Sequence, residues 1–333
     1  MMSYLLTQLG NGLMLGCMYG LIAVGFSLVY GVARLMNFAH GEFFMVGAYG
    51  ALFSAELPLW RWGNGAGATM FWTLVISVLV SAASGALVSV LVERLAYRRI
   101  RRVSRTATFL VAVGASILLQ QIGFKVFSAS PRGFPDVCTP VVVAAPTLSG
   151  WLQPSAGLPC EVAVTSQLQA VALSPSGTSA VTFVVLAFAV WGALFFVLRT
   201  DTGLAIRAVS IDEKSARSVG IRPQPAIVIT FAVGGALAGI AGFLWSLRYG
   251  GVQPLMGFIP GVKAFVAAVI GGVGSVTGAL VGGLLLGLLE TLSFAYLPGE
   301  VSGYRDAVTL LLLLVFLLIR PLGLLGRQFG EAA

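Results

Sequence analysis

Ala226-Ile-Val-Ile-Thr-Phe-Ala-Val-Gly-Gly-Ala-Leu-Ala-Gly-Ile-Ala-Gly-Phe-Leu-Trp-Ser-Leu247 carries no charged residue. A helix of that length, rising ~1.5 Å per residue, spans the ~30 Å hydrocarbon layer of a bilayer. Directly before it stands the most polar run of the chain, Arg199-Thr-Asp-Thr-Gly-Leu-Ala-Ile-Arg-Ala-Val-Ser-Ile-Asp-Glu-Lys-Ser-Ala-Arg-Ser-Val-Gly-Ile-Arg-Pro-Gln-Pro225. Apolar helices joined by polar, punctuated segments specify an all-α polytopic membrane protein. Within the polar run, Ser210 and Glu213 have the spacing of a capping box, in which each side chain satisfies the other's backbone N–H. Gly220 suits the left-handed residue that closes a helix, and Pro223 blocks its resumption. The expectation is a short, self-terminated helix from about Ile211 to Val219. It carries Asp212, Glu213, Lys214 and Arg217 beside the small Ser215 and Ala216, a surface polar enough for water and smooth enough to dock. A plain solvated loop is the bland alternative, although connections between neighbouring helices usually need only a few residues.

The rest of the composition agrees. Hydrophobic residues make up 58%, charged residues 10%, and mean hydropathy is +0.95, more apolar surface than a water-soluble domain can hide. Ala307 to Ile319 and Ser179 to Leu198 are further uncharged runs without the alternation of barrel strands. The first apolar segment has no basic start and no convincing cleavage site, so it reads as a retained span. The net charge of +8 is a topology signal and not a nucleic-acid footprint, because the basic residues sit in three clusters. Arg94, Arg98, Arg99, Arg101, Arg102 and Arg105 fill one short loop; Arg199, Arg207, Lys214, Arg217 and Arg222 fill the polar run; Arg320 and Arg327 follow the last span. The positive-inside rule makes all three, the 199–225 bridge and the C-terminus included, cytoplasmic. The loops around Trp60, over 129–178 and around Gly250 then face outside.

Along the chain, Gly12, Gly16 and Gly20 recur at every fourth position of the first helix, Leu9 to about Tyr30, a spacing that lets a second helix approach closely. The helix is expected to break over Gly31-Val-Ala-Arg-Leu-Met-Asn-Phe-Ala-His-Gly-Glu42 and resume from Phe43 to about Ala55. Trp60 and Trp62 read as an interfacial anchor. Spans follow at Met70 to Val92 and Ala107 to Phe127. The 129–178 loop shows no sustained period. Cys17 is expected to pack inside a helix, whereas Cys138 and Cys160 share the outer loop. In an oxidising compartment a disulfide between them would be worth roughly 3 kcal/mol, and two free thiols are the alternative. Gly250 to Lys263 reads as irregular and precedes a short apolar helix, a Gly271–Ser275 turn and a helix from Thr277 to Leu297. The total is about eight spans in a single domain, 1–333. Asn37-Phe-Ala-His-Gly-Glu42 and Gly257-Phe-Ile-Pro-Gly-Val262 are loosely alike, and paired broken helices in two halves point to a transport path built by an inverted repeat.

No catalytic constellation emerges. There is no phosphate-binding Gly-x-x-x-x-Gly-Lys-Ser/Thr loop, and His40 is the sole histidine, so no metal pair of histidines exists. His40 and Glu42 are the costliest pair in the apolar background. Either they mark a permeation route next to a half-helix start, or they satisfy broken backbone near the inner interface; the sequence leaves both open. Glu290, alone in an apolar helix, is a similar candidate whose blander use is an interhelical hydrogen bond. Lys263 is expected to snorkel. Asn37, Gly41, Phe258, Pro260 and Gly261 complete the candidate pathway residues.

The segment Gly25-Phe-Ser-Leu-Val-Tyr-Gly-Val-Ala-Arg-Leu-Met-Asn-Phe-Ala-His-Gly-Glu-Phe-Phe-Met-Val-Gly-Ala-Tyr49 closely resembles the integral-membrane permeases of branched-chain amino acid ABC importers, specifically the LivH type. The likeness continues through Arg207-Ala-Val to Gly220-Ile, through Phe231 to Gly242, and through Gly271 to Gly283, leaving out only the long outer loop. It implies an importer half-channel in a bacterial inner membrane without a cofactor. The implied partners are a second homologous permease, two ATPase subunits and a periplasmic solute-binding protein. It also implies that the bridge is a coupling helix, about Ile211 through Gly220, gripped by the ATPase. The importer pattern of Glu-Ala-Ala, three residues, then Gly is matched here only at Ala216 and Gly220, with Glu213 one place early. Permeases resembling this one serve branched-chain amino acids, urea or short amides, and aromatic acids. A self-sufficient proton-coupled transporter using His40 and Glu42 is the alternative from another class.

Overall fold

The computed structural model describes residues 2–56, 66–100, 105–134 and 175–296, with scattered positions between 307 and 325. Trp60, Trp62, Arg101, Arg102, Cys138, Cys160, most of the outer loop and much of the last span lie outside the described residues. The chain folds as α1 Met2–Ala33, α2 His40–Glu56, α3 Ala66–Val92, a π turn Glu93–Tyr97, α4 Arg98–Ile100 and α5 Arg105–Phe127. Then come β1 Arg132–Gly133, α6 Pro175–Arg199, α7 Asp201–Ile211, α8 Glu213–Ser218, α9 Pro223–Tyr249, β2 Gly251–Val252, α10 Phe258–Gly271 and α11 Val276–Tyr296. Five helices among the described residues are long and apolar enough to cross a membrane. The protein is an all-α membrane protein.

Small residues set its seams. In lipid, association depends on close backbone contact, and a residue without a side chain allows it. A Cβ added at Gly287 of α11 would strike the backbone of Gly16 in α1, and one at Gly283 the backbone of Gly20. A second seam joins α9 to α3, where Gly235 meets Gly85 and Ser89 Oγ donates to the Phe231 carbonyl at 2.7 Å. The broken helices lie across these pairs in matching fashion: α2 rests on α9 and α3, and α10 rests on α1 and α11. Gly47 meets Gly239 under α2, and Gly282 meets Ala267 under α10.

Three expectations are corrected. Residues 258–263 are helical rather than irregular: α10 starts at Phe258, so Pro260 falls in the first turn, where its missing N–H costs nothing. The arginine loop is shorter than its composition implied, because α3 runs on through the π turn and α4 to Ile100 and holds Arg94, Arg98 and Arg99 in helix. Buried Glu93 in that π turn accepts from Gln224 at 3.0 Å, which ties the end of α3 to the start of α9. Lys263 does not snorkel. It is 5% exposed and paired with Glu290.

Candidate functional site

The polar bridge holds two helices, since α7 precedes the short one. Ser210 is not the cap. It lies in the last turn of α7 and donates to the Arg207 carbonyl, while Asp212, extended at φ −153°, caps α8 by accepting from the backbone N–H groups of Lys214 and Ser215. Because α7 runs on to Ile211, Ser210 falls inside a helix and Asp212 at the junction, where an aspartate caps as well as a serine, and Glu213 pairs with Arg217, one turn on. Gly220 closes α8 at φ +85°, with its N–H on the Arg217 carbonyl and the Ile221 N–H on the Ala216 carbonyl, a Schellman end. Pro223 then opens α9 at its first position, so it starts the next helix.

The Ser215 hydroxyl and the Ser215 and Lys214 amides hold the Asp212 carboxyl below its ordinary range. A depressed folded value means the cap is fully present above the ordinary carboxylate pKa of ~3.9 and is lost as pH falls through the lower folded value. The Lys214 and Ser215 amides should therefore be protected from hydrogen exchange at neutral pH and lose protection on acidification below about pH 4. Asp212→Ala should show the acid behaviour at every pH.

Ala216 faces inward. It is 3% exposed and belongs to a cluster with Val29, Val32, Leu35, Ile206 and Ile227, so it seats the handle on the body and cannot be touched from outside. The outer surface instead presents Ile211 and Val219, 72% and 75% exposed, which sequence reasoning passed over. Arg34, the first residue past α1 and itself at φ +50°, donates to the Ile211 carbonyl at 2.8 Å. A basic cleft of about 830 Å³ separates α4 from the bridge, with Arg98, Arg99, Arg217 and Arg222 on its walls.

The two broken helices begin against each other. A Cβ at Gly41 would strike the Gly257 carbonyl, and one at Gly261 would stand 2.9 Å from the Gly41 Cα, so only glycine permits the crossing. Beside it lies a chamber of about 250 Å³ lined by Asn37, His40, Gly41, Phe258 and Gly261, which gathers candidates more than 200 residues apart in sequence. His40 is buried and stands edge-on to Phe26 and Phe43. It lies level with Gly25, well before the end of α1 and away from the bridge. Glu42, behind the wall, accepts from Ser116 at 3.0 Å and Gln120 at 2.7 Å, two α5 residues one turn apart whose spacing was the available signal. Tyr97 donates to the Asn37 side-chain oxygen at 2.6 Å.

A larger chamber of about 510 Å³ opens on the other side of α10, toward the end of the bundle remote from the bridge. Pro260 and Glu290 line it, and Glu290 accepts from Lys263 Nζ at 2.8 Å and from the Tyr19 hydroxyl at 3.0 Å. The interhelical hydrogen bond expected of Glu290 is present, in the form of an ion pair.

A multi-pass helical body with two crossing half-helices, chambers on both sides of one of them and a capped handle at one end defines a membrane permease component. The chain belongs to the family described as the branched-chain amino acid transport system / permease component, whose model matches residues 8–318. It is thus a transport subunit and not an enzyme. The high-affinity branched-chain amino acid transport system permease protein LivH of Escherichia coli K12 is 36% identical over 98% of this chain and 97% of its own length. BraD of Pseudomonas aeruginosa, named for the same kind of system, is 35% identical over the same shares. LivM of Salmonella typhimurium, a second kind of permease protein from such a system, is 27% identical over 92% of this chain and 67% of its own. No solved structure matches.

Proposed function

We propose that the chain, 1–333, is one permease body of an ATP-driven importer for branched-chain amino acids, with about eight spans in a bacterial inner membrane. The basic clusters of the bridge and the C-terminus support a cytoplasmic position for both. Its assembly comprises a second homologous permease, two ATPase subunits and a periplasmic solute-binding protein; the likeness to both LivH-type and LivM-type permeases supports a paired permease. The matched packing of α1–α2 with α9–α10 supports an inverted repeat whose half-helices meet on the transport path.

The observation that carries the reading is the handle. The helix α8 is capped at both ends and seated by Ala216 on residues of α1 and of the break, and the end of α7 that leads into it is linked to the start of the break through Arg34. Force delivered by an ATPase to α8 therefore reaches the Gly41–Gly257 crossing through packed side chains, and shifting that crossing opens the path alternately to the two sides. In proteoliposomes the full assembly should take up leucine only with ATP and loaded binding protein. This chain alone, under a pH gradient, should show none. Gradient-driven uptake by the isolated chain would replace this reading with a secondary transporter built on His40 and Glu42.

A further inference from the structure

Lys263 and Glu290 are 5% and 6% exposed, and both face the 510 Å³ chamber. We propose that this pair is the seat of a zwitterionic α-amino acid, which enters by exchanging the internal ion pair for two external ones. Its carboxylate takes the Lys263 ammonium, and its ammonium takes the Glu290 carboxylate. The inference rests on the importer reading and names the substrate chemistry of its path.

A buried pair kept for stability alone is weakly motivated, because well-packed apolar residues usually do as well. Ionisable groups among apolar helices concentrate instead where solutes pass. The chamber's volume falls in the range of small-molecule sites. Met14, Met18, Trp245 and Met256 give it an apolar wall, adaptable because methionine is unbranched and flexible, which suits an aliphatic side chain. Separating Lys263 from Glu290 would cost each nearly buried charge its oppositely charged neighbour. A zwitterion is the solute that prevents this, since it brings one partner for each. A neutral amide brings neither, and a carboxylic acid without an amine satisfies Lys263 alone. The Tyr19 hydroxyl occupies the other Glu290 oxygen and keeps that carboxylate turned toward Lys263 while the solute arrives.

The test uses the purified complex of the permeases and ATPase subunits, without the solute-binding protein, in detergent and follows its thermal unfolding midpoint. Leucine should raise the midpoint of the wild type, whereas leucinamide, lacking the carboxylate, and 4-methyl-2-oxopentanoate, lacking the ammonium, should not. Lys263→Met with Glu290→Met removes both charges and keeps the volume; it should fold yet lose the leucine response, and its uptake in proteoliposomes should fall roughly tenfold or more. Lys263→Glu with Glu290→Lys keeps an internal pair with its poles exchanged and should lose uptake as well. A leucine response that is absent in the wild type, is matched by leucinamide, or survives in a folded double variant overturns the proposal and leaves the pair a structural one. Loss of ATP-dependent uptake in the wild type with the leucine response intact would instead overturn the importer reading.

Discussion

Gly287→Ala is expected to prevent stable assembly of the α1–α11 seam, while the same change at Gly114 is expected to be neutral or stabilising. At position 287 the new methyl carbon would fall on the Gly16 backbone and 2.8 Å from the Gly12 carbonyl oxygen. No rotamer change relieves contact with backbone, so the helices must separate, and the neighbouring contact at Gly283 with Gly20 separates with them. Overpacking typically costs about 1–3 kcal/mol, and a backbone clash belongs at or above the upper end of that range. Native stabilities are only about 5–15 kcal/mol, so folded yield should drop several-fold. At Gly114 nothing lies within 4 Å, and alanine gains about 1 kcal/mol of helix propensity over glycine. Yield and the unfolding midpoint in detergent read both variants. Equal stability of the two would mean that the seam is not close-packed.

Ile211→Asp combined with Val219→Asp is expected to abolish uptake and leave the permease folded. Both side chains are more than two-thirds exposed and flank α8, so charging them removes no core contact. They are the largest apolar surfaces that the handle offers. Fully burying an aliphatic side chain of this size contributes about 1.5–3 kcal/mol when an interface closes over it. Losing two should weaken ATPase capture on the order of a hundredfold or more. Co-purification with the ATPase subunits and ATP-dependent leucine uptake should fall together while the unfolding midpoint of the permease holds. Retained capture would mean that the ATPase grips another surface, such as the basic cleft beside α4.

These variants show where sequence reading was informative and where it stopped. The break after α1 was legible because Arg34, Asn37, His40 and Glu42 interrupt two apolar runs within nine residues. The left-handed close at Gly220 was legible because so few residues other than glycine adopt that backbone. The cap was misread because Ser210 and Asp212 are both good caps, and the choice depended on where α7 ended. Ala216 was read as a docking contact because composition gives a helix face its size and polarity but not its direction. A lone lysine at the start of an apolar helix ordinarily reaches water, and nothing near Lys263 in sequence announces its carboxylate, which lies 27 residues on in another helix.

The sequence by itself determined an apolar helical body, the positions where helices stop, and the polar bridge, because transfer into lipid and turn chemistry are free energies of a few adjacent residues. Only the tertiary structure decided that Gly41 meets Gly257, that Lys263 finds Glu290 and that Ala216 faces inward. Those outcomes depend on which helices cross and at what level, a choice made jointly by small residues scattered over the whole chain.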